Sequence, residues 1–122
     1  VRYHEAMRET THCMLEPNSG VLIVRLKGPS LEEQDAKSIL SDLKADAPEW
    51  NWRVALDMNN VEFLASSGIG SLINFHRTCA GAGGTMAMFG VNDNIQGVFK
   101  VTKMNKFFTM TKDQSQAIKK LT

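Results

Sequence analysis

Phe63-Leu-Ala-Ser-Ser-Gly-Ile-Gly-Ser71 follows Arg53-Val-Ala-Leu-Asp-Met58 and the turn residues Asn59-Asn60. Arg53 to Met58 reads as a buried strand ending in a carboxylate. From Ser67 to about Ala80 apolar residues recur at helical spacing, with Ile69, Leu72, Ile73, His76 and Ala80 expected on the inward face. Gly81-Ala-Gly-Gly84 stops that helix. Two adjacent hydroxyls, Ser66 and Ser67, therefore stand where the chain turns from strand to helix. A helix start offers unpaired N–H groups and partial positive charge, which suit a Ser cap and equally favour a phosphate. The residues leave two readings open. Ser66 or Ser67 is only a cap, with Gly68 and Gly70 letting the helix approach the sheet, or the pair is also a switch.

Upstream, Thr10 to Leu15 is rich in strand formers, Pro17-Asn-Ser-Gly20 supplies turn chemistry, and Val21 to Lys27 places Leu22, Val24 and Leu26 on one face. This predicts a hairpin with one side on a core. After Gly28-Pro29, Ser30 with Glu33 three residues on has the pattern of a capping box. Ala36, Ile39, Leu40, Leu43 and Ala47 then mark a helix to about Ala47, before Pro48. Downstream, Thr85 to Phe89 reads as a strand. Asn92 or Asp93 caps a third helix with Ile95, Val98, Phe99 and Thr102 inward. A short strand around Phe107-Phe108-Thr109 and a helix from Asp113 to Leu121 complete the chain. Strands alternating with helices of this length predict an α/β domain with a mostly parallel sheet.

The chain has 122 residues, 43% hydrophobic and 22% charged, values of one globular domain without low-complexity tracts. Its net charge is +1, and Lys and Arg are scattered, so neither nucleic acid nor an anionic membrane is the expected partner. No apolar run exceeds four residues, far short of a bilayer span. Residues 1–9 are expected to be a lead-in and 10–122 the domain. His4 and His12 have no partner at metal spacing. Cys13 and Cys79 lack a Cys-x-x-Cys spacing and read as reduced thiols in a cytoplasm.

Asp57 reads as a strand-end carboxylate accepting bonds from the following turn. His76 reads as a hydrogen-bonded, half-buried histidine, although Cys79 three residues later admits a nucleophile–base pair as an alternative. No orienting residue or oxyanion motif accompanies that pair, so catalysis is not expected. Trp50 and Trp52 read as edge packing over the sheet, with partner contact as the alternative. Gly81-Ala-Gly-Gly84 is no phosphate loop, since it follows a helix and lacks Lys-Ser/Thr. No cofactor motif or metal site is expected.

Leu56-Asp-Met-Asn-Asn-Val-Glu-Phe-Leu-Ala-Ser-Ser-Gly-Ile-Gly-Ser-Leu72 resembles the signature of the STAS family, the domain of bacterial anti-sigma factor antagonists. Val21-Leu-Ile-Val-Arg-Leu-Lys-Gly28, Gly83-Gly-Thr-Met-Ala-Met-Phe-Gly-Val91, the Asn92 helix and Lys106-Phe-Phe108 follow in the family's order. Ala65 stands where the family usually has Asp, and Lys103 where a Gly is common. The resemblance implies a single STAS-type domain. Its mixed, mostly parallel sheet would have four to five strands, with about four helices mainly on one face. It further implies that Ser66, with Ser67 as alternative, is the residue phosphorylated by a serine kinase that doubles as an anti-sigma factor. A PP2C-type phosphatase would reset it. The implied partner surface comprises Asn59, Asn60, Ala65, Ser66, Ser67, Gly68 and Gly70. The alternative is a non-switching STAS scaffold or small-ligand domain of a stress complex or transport system.

Overall fold

The computed structural model describes residues 7–122. His4 and most of the expected lead-in lie outside the described residues. Strands β2 (Cys13–Asn18) and β3 (Val21–Leu26) form the expected antiparallel hairpin, turned at Ser19 and Gly20, both at positive φ. Helix α1 (Glu33–Asp46), a 3₁₀ turn (Ala47–Trp50), β4 (Arg53–Asp57), α2 (Ser66–Gly81), β5 (Thr85–Phe89), α3 (Asp93–Val101), β6 (Thr109–Thr111) and α4 (Gln114–Leu121) follow.

Among the described residues the sheet has six strands in sequence order, parallel from β3 to β6 and antiparallel at its other end. The four to five strands expected omit β1 (Arg8–Glu9), which pairs with β2. Two residues carry no periodicity to read. Their side chains hold them instead: Arg8 grips Asp46 through Nε at 3.0 Å and an Nη at 2.9 Å, and Glu9 pairs with Lys27.

Parallel strands are buried on both faces, which explains the unbroken apolar runs of β3, β4 and β5. Leu22, Val24, Leu26, Val54, Leu56, Met86 and Met88 face α1, α2 and α3. Val21, Ile23, Ala55, Ala87 and Phe89 face α4 through Ala117 and Leu121. Helices thus lie mainly on one face, three to one. Trp50 and Trp52 pack at the margin of the larger cluster, as edge packing requires. Each helix returns against the parallel strands. Helix N-termini therefore gather where the strands end, and helix C-termini gather at the opposite pole.

Three local expectations are corrected. α1 is capped by Glu32, whose side chain and that of Asp35 form the capping box, not by Ser30. Ser30 is still extended, bridged to Phe63, and its hydroxyl donates to Glu32 at 3.1 Å. The last strand begins at Thr109, because Phe107 and Phe108 are turned into a ring cluster with His76 and Phe99. The inward face of α2 is Gly68, Leu72, Phe75 and Cys79. Ile69, Ile73 and His76 flank it half-buried, and Ala80 is exposed.

Candidate functional site

β4 delivers Asp57 to the rim where the helices begin. Asp57 Oδ1 accepts from the Asn59 backbone N–H at 2.9 Å and from Asn59 Nδ2 at 2.7 Å. Oδ2 accepts from Arg25 at 2.7 Å. Burial lowers the pKa of the Arg25 guanidinium, but its bonds to Glu16 and Asp57 outweigh this and leave it raised. The expected turn role of Asp57 is therefore what the structure has. Arg25, which no sequence motif marked, is the group that completes it.

The loop from Met58 to Leu64 is clamped from three sides. The Met58 N–H donates to the Phe89 carbonyl at 2.9 Å, at the end of β5. The Glu62 and Phe63 N–H groups both donate to Pro29, at 2.7 and 3.2 Å. Asn92 Nδ2 donates to the carbonyls of Val61 and Glu62, each at 3.3 Å, while its Oδ1 caps α3 by accepting from Ile95 at 2.8 Å. Gly28 permits the Pro29 strand to lie this close. It sits at φ +65°, and a Cβ there would overlap the Asn60 carbonyl.

This clamp fixes the entry into α2 one residue earlier than expected. Ala65, extended at φ −81° and ψ 172°, is the N-cap, and no side chain caps the helix. Ser66 and Ser67 are thus the first two helical residues and not the cap. Both are exposed, and neither hydroxyl makes a hydrogen bond with a described residue. They stand beside free N–H groups of the first turn, where the dipole tolerates negative charge.

Around them the expected surface assembles in part. Asn60, Ala65, Ser66, Ser67 and Gly70 are exposed, as is Asn59, whose amide is committed to Asp57. Gly68 is instead buried, because its missing side chain admits Leu64 and the Leu31 carbonyl. A Cβ on Gly70 would meet nothing within 4 Å, so close packing against the sheet does not explain that glycine. Phe63, 60% exposed, is a further apolar member that the sequence reading left out. Its signal was an aromatic in a polar turn. A groove of about 340 Å³ opens beside this surface between α1 and α2, lined by Glu33, Lys37, Leu40, Ser67, Gly70 and Asn74.

The sequence offered Cys79 with His76 as a nucleophile–base pair. Cys79 is buried, and burial pushes its thiol up to about 12. Burial pushes Cys13 up to about 11, against the opposing bond from Thr10. Neither supplies a thiolate at neutral pH. His76 is not hydrogen-bonded as expected. Its buried Nδ1 has no partner among the described residues, and its ring lies 4.7 Å from Phe107. Among the described residues no group of three His, Cys, Asp or Glu could hold a metal ion, and no helix is long and apolar enough to cross a membrane.

A sequence model of the STAS domain matches residues 12–117. Among solved structures, an anti-sigma-factor antagonist (STAS) domain protein of Planctomyces limnophilus superposes with a TM-score of 0.74 at 20% identity, over 89% of this chain and 97% of that one. An anti-sigma factor antagonist of Mycobacterium paratuberculosis gives 0.73 at 16% identity, over 96% and 95%. The Bacillus cell fate determinant SpoIIAA in its phosphorylated form gives 0.62 at 16% identity, over 96% and 100%. At these identities the structural likeness is one of fold.

Proposed function

This chain belongs to the STAS domain family, and we propose that it is a phospho-regulated protein–protein interaction module of the anti-sigma factor antagonist type. Unphosphorylated, it binds an anti-sigma factor that is also a serine kinase; phosphate on Ser66 ends the complex, and a PP2C-type phosphatase restores it. The chain is a substrate and a ligand, not a catalyst, and works in the cytoplasm of a bacterium.

The observation that carries this reading is the state of Ser66. Its hydroxyl is exposed, makes no hydrogen bond with a described residue, and stands on a clamped loop beside exposed Phe63, Ala65 and Gly70. Phosphorylation would add roughly −1.5 to −2 charges and three strong acceptors there. The helix start accommodates that charge, so the domain stays folded and the loss falls on the partner contact. A loss of about 3 kcal/mol in the complex weakens it on the order of a hundredfold, enough to switch a partner.

The test is phosphorylation by the cognate kinase with ATP, followed by peptide mapping. One phosphate on Ser66 is expected. Labelling kept in both Ser66→Ala and Ser67→Ala would end the reading, and labelling kept in Ser66→Ala but lost in Ser67→Ala would move the acceptor to Ser67. A Ser66→Asp protein that binds its partner unchanged would favour a scaffold or small-ligand domain, a reading that Ala65 in place of the family's Asp also favours.

A further inference from the structure

The pole opposite Ser66 carries a second exposed surface. From Lys100 to Lys106, at the end of α3 and in the turn beyond it, three lysines stand within seven residues that hold no acid. From Leu31 to Trp50 six acids stand against two lysines, a net of −4. The two halves differ in how those charges are satisfied. In the acidic half Asp46 is held by Arg8, Asp42 accepts from the Cys13 thiol, Asp35 accepts from the Glu32 N–H, and Glu32 accepts from Ser30. In the basic half Lys100, Lys103 and Lys106 are exposed and pair with no described residue.

Two apolar side chains stand among these lysines: Val101, 85% exposed, and Phe107, 37% exposed. Val101 closes α3 and Phe107 lies in the turn that follows, which is well bonded. The Lys103 N–H donates to Lys100 at 3.2 Å, the Met104 and Asn105 N–H groups donate to Phe99, and the Phe107 N–H donates to Met104 at 3.0 Å. The Phe107 ring packs on His76 of α2, whose neighbour Arg77 is exposed and also unpaired among the described residues. The end of α3 and the turn after it thus present three lysines beside two exposed apolar side chains. The negative end of the α3 dipole accounts for Lys100 and Lys103. It accounts for neither Lys106 nor an almost fully exposed valine.

We propose that the end of α3 and the turn that follows it dock on an anionic phospholipid surface. Each lysine near an anionic leaflet strengthens binding roughly fivefold, and apolar tips find an apolar layer just beneath the headgroups. Nucleic acid would pair with the lysines but offer Val101 nothing. An acidic protein would need a pocket for Val101, 85% exposed. The geometry also leaves the other pole free: the Phe107 ring meets α2 at His76, roughly 15 Å along the helix axis from Ser66. This inference stands independently of phosphorylation.

The test is sedimentation of the full chain with vesicles of pure phosphatidylcholine and with vesicles half of whose lipid is phosphatidylglycerol. Binding is expected only to the second, and to decline as salt is raised. Lys100→Gln with Lys106→Gln should lower the partition coefficient about thirtyfold. Val101→Ser, at a position too exposed to alter the fold, should lower it several-fold. Lys37→Gln, on α1, should leave it unchanged. Equal binding to both lipids, no binding to either, or an equal loss in Lys37→Gln would overturn the proposal. Capture on immobilised polyglutamate without vesicle binding would overturn it in favour of an acidic protein ligand.

Discussion

Arg25 and Asp57 stand opposite one another in the parallel register of β3 and β4, and their side chains meet at 2.7 Å. Arg25 also donates to Glu16 of β2 and to Gln114 at the start of α4, each at 2.8 Å. One guanidinium thus joins three strands and a helix beside the loop that presents Ser66. Arg25→Met would leave the Asp57 carboxylate, 8% exposed, with Asn59 as its one remaining partner residue. Because Arg25 itself is one-third exposed, the expected loss is about 2 kcal/mol and not the larger figure of a fully buried pair. Urea unfolding measures it, and Arg25→Lys should recover only part, since an ammonium cannot reproduce the fork.

Ala65→Asp tests the cap. Ala65 has the extended backbone of an N-cap but no side-chain acceptor for the first-turn N–H groups. A carboxylate there should add about 1 kcal/mol and raise the melting temperature by several degrees. An unchanged melting temperature would show that water or a neighbouring group already satisfies those donors.

Two glycines should respond with opposite signs. Gly70→Ala places a methyl in open space on an exposed helical position and should stabilise by about 0.5–1 kcal/mol. Gly28→Ala forces a Cβ into the Asn60 carbonyl at a left-handed φ and should destabilise by more than that. If the partner lies close over the start of α2, Gly70→Ala should also weaken the complex while strengthening the fold. Paired melting and binding measurements separate the two effects.

The two buried thiols make stability depend on pH in the alkaline range. An ordinary thiol has a pKa of 9.0, whereas burial holds Cys13 near about 11 and Cys79 near about 12. Above pH 9 the unfolded chain releases these protons and the folded one keeps them, so their contribution to stability is full below pH 9. It declines as pH rises toward 11 and 12. The difference between wild type and a Cys13→Ala, Cys79→Ala double variant isolates that decline. Iodoacetamide at neutral pH should modify neither thiol in the folded protein and both in urea.

Much of this architecture was legible because burial on both faces writes long apolar runs, as in β3, β4 and β5, and because Asn92 and Asp113 cap their helices through their own side chains. The misreadings fall where tertiary contacts overrule local chemistry. Ser66 and Ser67 offer cap hydroxyls, but the grip of Pro29 on Glu62 and Phe63 sets the helix start a residue earlier. Phe107 and Phe108 have strand propensity, yet their rings are worth more against His76 and Phe99 than in a ladder. The inward face of α2 turns toward Phe75 and Cys79 because Gly68 lets Leu64 and Leu31 come close, a contact no periodicity encodes. Arg25 belongs to the site through position alone, whereas Phe63 had a signal, an aromatic in a polar turn.

β6 is three residues long and leads at once into α4. An incoming extended chain would find few unpaired amides along that flank to zip onto. Recruitment there cannot rest on backbone pairing, which is indifferent to sequence, and falls to individual side chains on loops and helices. Partner choice in such a domain is open to revision one residue at a time without disturbing the scaffold beneath.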